Sequence, residues 1–149
     1  MPIVDISEKF EVRREAIAEG YIKLRKETIE AIKKNEIKKG DPFETARVAA
    51  SLAVKNTPNI IPYCHPIPIE NERIEFELKG DGILVRCHVK ATAKTGVEME
   101  ALVGVSVALL TIWDMVKYLE KDKEGQYPYT EIRGIRVVSK VKDDGSPRA

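Results

Sequence analysis

The apolar segment from residue 97 to about residue 119 constrains the fold more than any other part of this sequence. Residues 101–113 carry no charged side chain and would be apolar on almost every side of a helix. We therefore predict a central helix that is buried on most of its sides. A chain of 149 residues rarely encloses a helix so completely, so we expect further copies of the chain to pack around it.

Composition indicates a single folded domain, 1–149, and argues against several functions. Hydrophobic residues make up 43% of the chain and charged residues 33%, as in globular proteins. A net charge of +1 argues against a binder of nucleic acid or of anionic membranes. The uncharged run is well short of the ~20 apolar residues that a bilayer span needs. Two cysteines imply no disulfide scaffold, and no leader is recognised, so a cytoplasmic protein is expected.

Alternating and punctuated stretches predict the remaining elements. Alternation favours four strands, at 13–24, 69–79, 83–93 and 130–141, and the GDG at 80–82 favours a hairpin between the middle two. Two helices are predicted at 25–36 and from Asp41 to about 57, where Asp41 is the N-cap, Pro42 the first helical residue and Glu44 its capping-box analogue. Four prolines within 58–70 predict a rigid, non-helical loop.

The order of these elements predicts the fold class. Strand, helix, helix, strand, strand, helix and strand indicate an α+β protein whose antiparallel sheet has helices packed on one face. Residues 1–12 are predicted to be an extended arm, and residues 142–149 a flexible tail.

Asp114 and Lys117 are the first candidates for chemistry. They are three residues apart near the end of the predicted helix, so their side chains are neighbours on one helix face. A surface ion pair explains this spacing. A half-buried pair that exchanges protons with a substrate, as general acid and base, explains it as well.

His65 lies in the proline-rich loop, next to Cys64, where a functional side chain could be held without regular secondary structure. A histidine that merely bonds the backbone is the alternative. Cys64–His65 and Cys87–His88 suggest zinc, but adjacent ligands on a strand point apart and neither pair has the usual ligand spacing. We therefore expect no metal site.

Charged residues near two helix starts complete the candidates. Lys39 precedes the Asp41 cap, where an anion could meet free N–H groups, and Arg14 could add charge. Glu98 and Glu100 fall in the first turn of the apolar helix, whose positive end favours carboxylates. Along one continuous helix, Glu100 and Asp114 would be about 21 Å apart, so a shared site would need a second chain or an elongated ligand.

Four motifs in this order resemble the molybdenum-cofactor biosynthesis protein C family, the cyclic pyranopterin monophosphate synthases. They are KGDPFETAR (39–47), IPYCHP (61–66), KTGVEMEAL (94–102) and TIWDMVK (111–117). The resemblance covers nearly the whole chain, from VDIS at 4–7 to the last strand. It implies a ferredoxin-like fold and a homohexamer, a trimer of dimers, with sites at the subunit interfaces.

The resemblance also implies a reaction and its residues. The family rearranges 3′,8-cyclised dihydro-GTP into cyclic pyranopterin monophosphate and releases pyrophosphate, in molybdopterin synthesis. By motif, Asp114 matches the catalytic aspartate and Lys117 its partner. Substrate contacts match Tyr63, Cys64, His65, Met99 and Glu100, with Glu98, Lys39 and Arg14 beside them; Tyr63 stands where the family usually has Leu. No cofactor is implied, although Mg²⁺ could accompany the substrate phosphates.

A rival from another class is a non-catalytic ferredoxin-like module that binds a nucleotide, because one fold hosts both kinds of function. A binder needs the cations but not a positioned proton donor and acceptor. A charged pocket that combines Asp114, Lys117 and His65 would therefore favour the enzyme.

Overall fold

A four-stranded antiparallel sheet with strand order β2-β3-β1-β4 organises the computed structural model, which describes residues 2–143. Its elements in chain order are β1 (Val12–Lys23), α1 (Lys26–Lys33), α2 (Pro42–Lys55), α3 (Thr57–Ile60), β2 (Ile69–Leu78), β3 (Gly82–Ala93), α4 (Glu98–Glu120) and β4 (Glu131–Asp143). Helices cover one face of this sheet. The predicted α+β class, with its ferredoxin-like strand order, is confirmed.

Alternation decides which face of the sheet is covered. In β1 the residues Ala16, Ala18 and Ile22 are buried toward the helices, and Ala18 lies opposite the buried Cys87 of β3. Polar residues alternate with them on the outer face, as expected for an antiparallel sheet with one solvated side. The hairpin β2–β3 turns at the predicted GDG.

α4 packs across this inner face and along α2. Gly104 permits the close approach, because a Cβ there would lie 2.7 Å from Cys87 Sγ and 2.8 Å from Val54 Cγ2. By length and composition α4 could cross a membrane, but 56% of its most apolar stretch is buried inside the protein, as in the core helix of a soluble protein. α4 is thus the predicted central helix, although Leu110 is 60% exposed.

Local signals explain where α2 begins and where α1 ends. Asp41 caps α2 as predicted, because its Oδ1 accepts hydrogen bonds from the backbone N–H of Phe43 at 2.9 Å and Glu44 at 3.4 Å. The Glu44 side chain instead pairs with Arg47, at 2.6 Å. α1 ends three residues earlier than predicted, where Asn35 takes a φ of 56° and breaks the helix.

Three sequence predictions need correction. The proline-rich segment is not wholly non-helical: Pro58 lies in the first turn of α3, where its missing N–H costs nothing. The arm is not extended throughout, since the Lys9 N–H donates to the Ile6 carbonyl at 3.0 Å and closes a turn. The predicted tail begins too early, because residues 142 and 143 belong to β4; residues 144–149 lie outside the described residues.

Candidate functional site

Asp114 lies in the last two turns of α4, between two lysines. Lys117 Nζ is 3.0 Å from Asp114 Oδ1, one turn along the same helix. Lys39 Nζ, from the loop before α2, is 3.2 Å from Oδ2 and donates to the Asp114 main-chain carbonyl at 3.1 Å. We call Lys39, Asp114 and Lys117 the lysine–aspartate cluster. Two ammonium groups thus make charge-assisted contacts with one carboxylate.

Within one chain the cluster is held electrostatically as an ion pair. Hydrogen bonds from Lys117 and then from Lys39 hold the pKa of Asp114 below its ordinary value. The Asp114 carboxylate raises the pKa of Lys117 in return. At neutral pH the pair is therefore a carboxylate beside an ammonium. The Asp114 side chain is 57% exposed, so within one chain the pair is the surface ion pair that was one of the two interpretations of its spacing.

Two further contacts shape the surroundings of the cluster. The Tyr118 hydroxyl oxygen accepts a hydrogen bond from the Lys38 backbone N–H at 2.9 Å, which ties the Lys39 loop to α4. Trp113 and Tyr127 meet edge to face, with ring centroids 5.0 Å apart. Both aromatic rings line an open hollow together with Asp114 and Lys117. A planar or apolar part of a ligand could therefore pack beside the charges.

A cavity of about 270 Å³ lies at the opposite end of α4. We call it the loop–helix cavity. Tyr63, Cys64 and His65 form one side, and the segment 95–100 forms another, including Glu98, Met99 and Glu100. The N-terminal arm supplies a third side through Val4, Ile6 and Lys9. Six predicted binding residues thus share one cavity.

Glu98 and Glu100 line this cavity together although they are two apart on a helix. Residues two apart on a helix point to different sides, but both reach this cavity because it lies at the helix end and not along its side. Glu98 does not cap the helix with its side chain. Its Oε1 pairs with Lys140 Nζ at 3.3 Å, and its Oε2 is buried without a hydrogen-bond partner among the described residues.

Burial changes the protonation behaviour of this cavity. Glu100 is only 2% exposed, and this burial raises its pKa, with the nearby Glu98 adding to the effect. Burial, followed by the charges of Glu100 and Glu98, also raises the pKa of the Cys64 thiol. Burial thus shifts these two wall groups toward their neutral forms, in contrast to the charged groups of the lysine–aspartate cluster.

Arg14 occupies a third position. It is buried on the inner face of β1, and its Nε donates to the main-chain carbonyl of Ala93 at 3.3 Å. Ala93 ends β3, directly before the segment that leads into α4. Arg14 thus braces the strand end from which the loop–helix cavity is built.

One chain does not bring the predicted site into a single pocket. The loop–helix cavity and the lysine–aspartate cluster are separated by fourteen residues of the continuous helix α4, about 21 Å along its axis. His65 therefore does not meet Asp114 or Lys117 within the chain. The Cys–His pairs do not meet either, because Cys87 faces the core, and residues 2–143 contain no cluster of three potential metal ligands.

Sequence reasoning missed several residues at these sites. Lys140 is 42 residues from Glu98 in the chain, and only the position of β4 beside α4 brings them together. Val4, Ile6 and Lys9 belong to the predicted extended arm, for which no role in a site was predicted from the sequence. The VDIS motif at 4–7 was the available signal, since it belongs to the resemblance although nothing in its composition indicates a site.

Fold and site together define a ferredoxin-like α+β protein with a charged cluster and a ligand-sized cavity at the two ends of its central helix. The sequence model of the MoaC family matches residues 3–143. The chain therefore belongs to the MoaC family.

Three relatives illustrate the match, and each is named "Probable cyclic pyranopterin monophosphate synthase". The protein from Sulfurisphaera tokodaii is 61% identical over 94% of this chain and 93% of its own length. That from Thermococcus onnurineus is 58% identical, covering 96% of this chain and 92% of its own length. That from Archaeoglobus fulgidus is 59% identical, over 94% and 90% respectively.

Proposed function

We propose that this chain is a cyclic pyranopterin monophosphate synthase. It is a lyase that converts 3′,8-cyclised dihydro-GTP into cyclic pyranopterin monophosphate and pyrophosphate, early in molybdenum cofactor biosynthesis. The names of the relatives support this reaction. The observation that carries it is Asp114 held between Lys39 and Lys117, an arrangement that offers a base, an acid and phosphate-binding charge in one place.

In this proposal Asp114 and Lys117 perform the proton transfers. The Asp114 carboxylate removes a proton from the substrate, and the Lys117 ammonium delivers one to a leaving group. A lowered pKa makes an exposed Asp114 a weak base. Covering the pair with a second chain would remove water from the carboxylate and raise its pKa toward the working range.

Lysine and arginine provide the binding energy for the phosphates. Lys39 and Lys117 lie on either side of Asp114, and the guanidinium of Arg14 would join them only where the loop–helix cavity of a second chain meets this cluster. Charge-assisted hydrogen bonds to phosphate are stronger than neutral ones and stabilise charge that develops on pyrophosphate as it leaves. Mg²⁺ could enter with the substrate, bound by phosphate oxygens; we propose no resident cofactor.

The loop–helix cavity suits the ring system of the substrate. A guanine-derived ring presents neutral donors and acceptors, and the buried carboxyl group of Glu100 can exchange hydrogen bonds with them. His65 and Cys64 offer further polar contacts from the facing loop, and Met99 offers an apolar one. In this proposal the loop–helix cavity holds the ring system and the lysines of the cluster hold the phosphates of one substrate.

A second copy of the chain completes the site in this proposal. We expect a homo-oligomer, a hexamer built as a trimer of dimers, in which Met99 and Glu100 of one chain meet Asp114 and Lys117 of its neighbour. The separation of about 21 Å within one chain supports this. So does the exposed Leu110, one helical turn from Asp114. With a freely diffusing substrate, a cytoplasmic location is proposed.

The test is incubation of the purified protein with 3′,8-cyclised dihydro-GTP. Pyrophosphate should accumulate together with a pterin that becomes fluorescent on oxidation. Tight binding of this compound without either product would instead favour the nucleotide-binding module. The absence of both binding and turnover would overturn the proposed substrate.

A further inference from the structure

The N-terminal arm determines the tautomer of His65. His65 Nε2 lies 2.7 Å from the main-chain carbonyl oxygen of Val4. A carbonyl oxygen can only accept a hydrogen bond, so Nε2 must carry the hydrogen. In the neutral imidazole the lone pair is then on Nδ1. Within residues 2–143, Nδ1 has no hydrogen-bond partner.

The arm is folded so that this carbonyl reaches the loop. Asp5 Oδ1 accepts hydrogen bonds from the Ser7 backbone N–H at 2.9 Å and from its hydroxyl at 2.7 Å. The turn between Ile6 and Lys9 follows directly. The Val4 side chain itself is 70% exposed, so what Val4 contributes to His65 is its backbone.

We propose that the arm is a positioning element of the site. Its Val4 carbonyl holds His65 as the Nε2–H tautomer and leaves Nδ1 to accept a proton or hydrogen bond from a bound ligand. The ligand group must then be a donor, such as a ring N–H, an amine or a hydroxyl. That the ligand is the cyclised nucleotide rests on the proposed function.

In this arrangement a bound ligand can transfer a proton to His65 without any further reactant. A ligand N–H or O–H gives its proton to Nδ1, the electron pair stays on the ligand nitrogen or oxygen, and the imidazole becomes an imidazolium. Both ring nitrogens then carry hydrogens, and Nε2–H still donates to Val4. The same contact therefore orients the ring before and after the transfer.

Nitrogen-15 NMR tests the tautomer without any substrate. The chain has two histidines, so His88→Gln leaves His65 as the sole imidazole. At a pH where the ring is neutral, we expect the long-range proton–nitrogen pattern of an Nε2–H ring. Deleting residues 2–8, or substituting Asp5→Ala to break the turn, should shift it toward a mixture of tautomers. An Nδ1–H ring in the intact chain, or a pattern unchanged by the deletion, would overturn the proposal.

Kinetics test whether the tautomer matters. Deleting residues 2–8 should lower kcat by about 10²-fold, the lower end of what a positioned proton acceptor contributes, while KM changes less. Glu8→Ala, an exposed arm substitution away from the cavity, is the matched control and should leave kcat unchanged. Full kcat after the deletion contradicts the proposal. If the wild type turns over no cyclised nucleotide, the proposed function fails while the NMR result still decides the role of the arm.

Discussion

Asp114 contacts one lysine three residues along its own helix and another that is 75 residues away in the chain. Lys117 is a helix neighbour, which the sequence spacing predicts. Lys39 arrives from the loop before α2 and bonds both the carboxylate and the main chain of Asp114. The sequence placed Lys39 near an anion site but could not identify the carboxylate that it meets.

Replacing Asp114 by Asn should abolish most of the activity. The amide has the shape of the carboxylate but is not a base, so kcat should fall by about 10²- to 10⁴-fold. The side chain is exposed, so the melting temperature should change little. Product formation and thermal unfolding measure the two effects. Glu44→Gln, which breaks the exposed ion pair with Arg47, is the control; near-normal turnover by Asp114→Asn would refute its catalytic role.

Glu100 makes stability depend on pH. Its pKa is raised in the folded protein, so the folded state holds a proton that the unfolded state releases above the ordinary value of 4.5. This contribution to stability is complete below that value and is lost as pH rises through the folded pKa. Glu100→Gln should therefore melt higher than wild type at pH 8 and equally near pH 4. A difference that is constant between these two pH values would show that Glu100 titrates normally.

At the scale of elements, one buried carboxylate ties three of them together. Glu120, at the end of α4, is 1% exposed. It accepts hydrogen bonds from the hydroxyl of Thr28 in α1, from the Arg25 backbone N–H at 3.0 Å, and from the Thr130 hydroxyl before β4 at 2.6 Å. Every one of these donors would be left unsatisfied without the carboxylate.

Glu120→Ala should therefore destabilise the fold. Leaving several buried donors unpaired costs about 2–4 kcal/mol, although removal of a buried charge offsets part of that loss. Denaturant unfolding at one fixed protein concentration measures it, because assembly shifts apparent stability. Thr130→Val removes one donor only and should cost about 1 kcal/mol. Equal stability of Glu120→Ala and wild type would mean that water replaces the carboxylate.

Local signals predicted most elements because their causes are local. The Asp41 cap, the GDG turn and the alternation of the strands all operate within a few residues. Two predictions about elements were wrong, for separate reasons. α3 was missed because Pro58 was interpreted only as a helix breaker, and residues 142 and 143 were assigned to a tail because their pairing with β1 is a long-range contact.

At the scale of the whole molecule, we predict that copies of the chain assemble into a homo-oligomer. Leu110 is exposed on α4 and lines the hollow beside Asp114 and Lys117. We expect light scattering at micromolar concentration to give the mass of a hexamer. Leu110→Lys should weaken assembly and lower activity together, because a charge would enter an apolar contact. Glu36→Lys, which adds a lysine at an exposed loop position, is the control; an active monomer would contradict the shared site.

The sequence by itself determined the fold class, the central helix and the identity of the candidate residues, since each depends on periodicity, on turn chemistry or on motifs along the chain. Only the tertiary structure decided how those residues are grouped. It placed Lys39 on Asp114, brought Glu98 to Lys140 and folded the arm onto His65. The physical reason is distance: these pairs are separated by 42 to 75 residues in the chain, and no local pattern encodes which strand, loop or helix end will lie beside another.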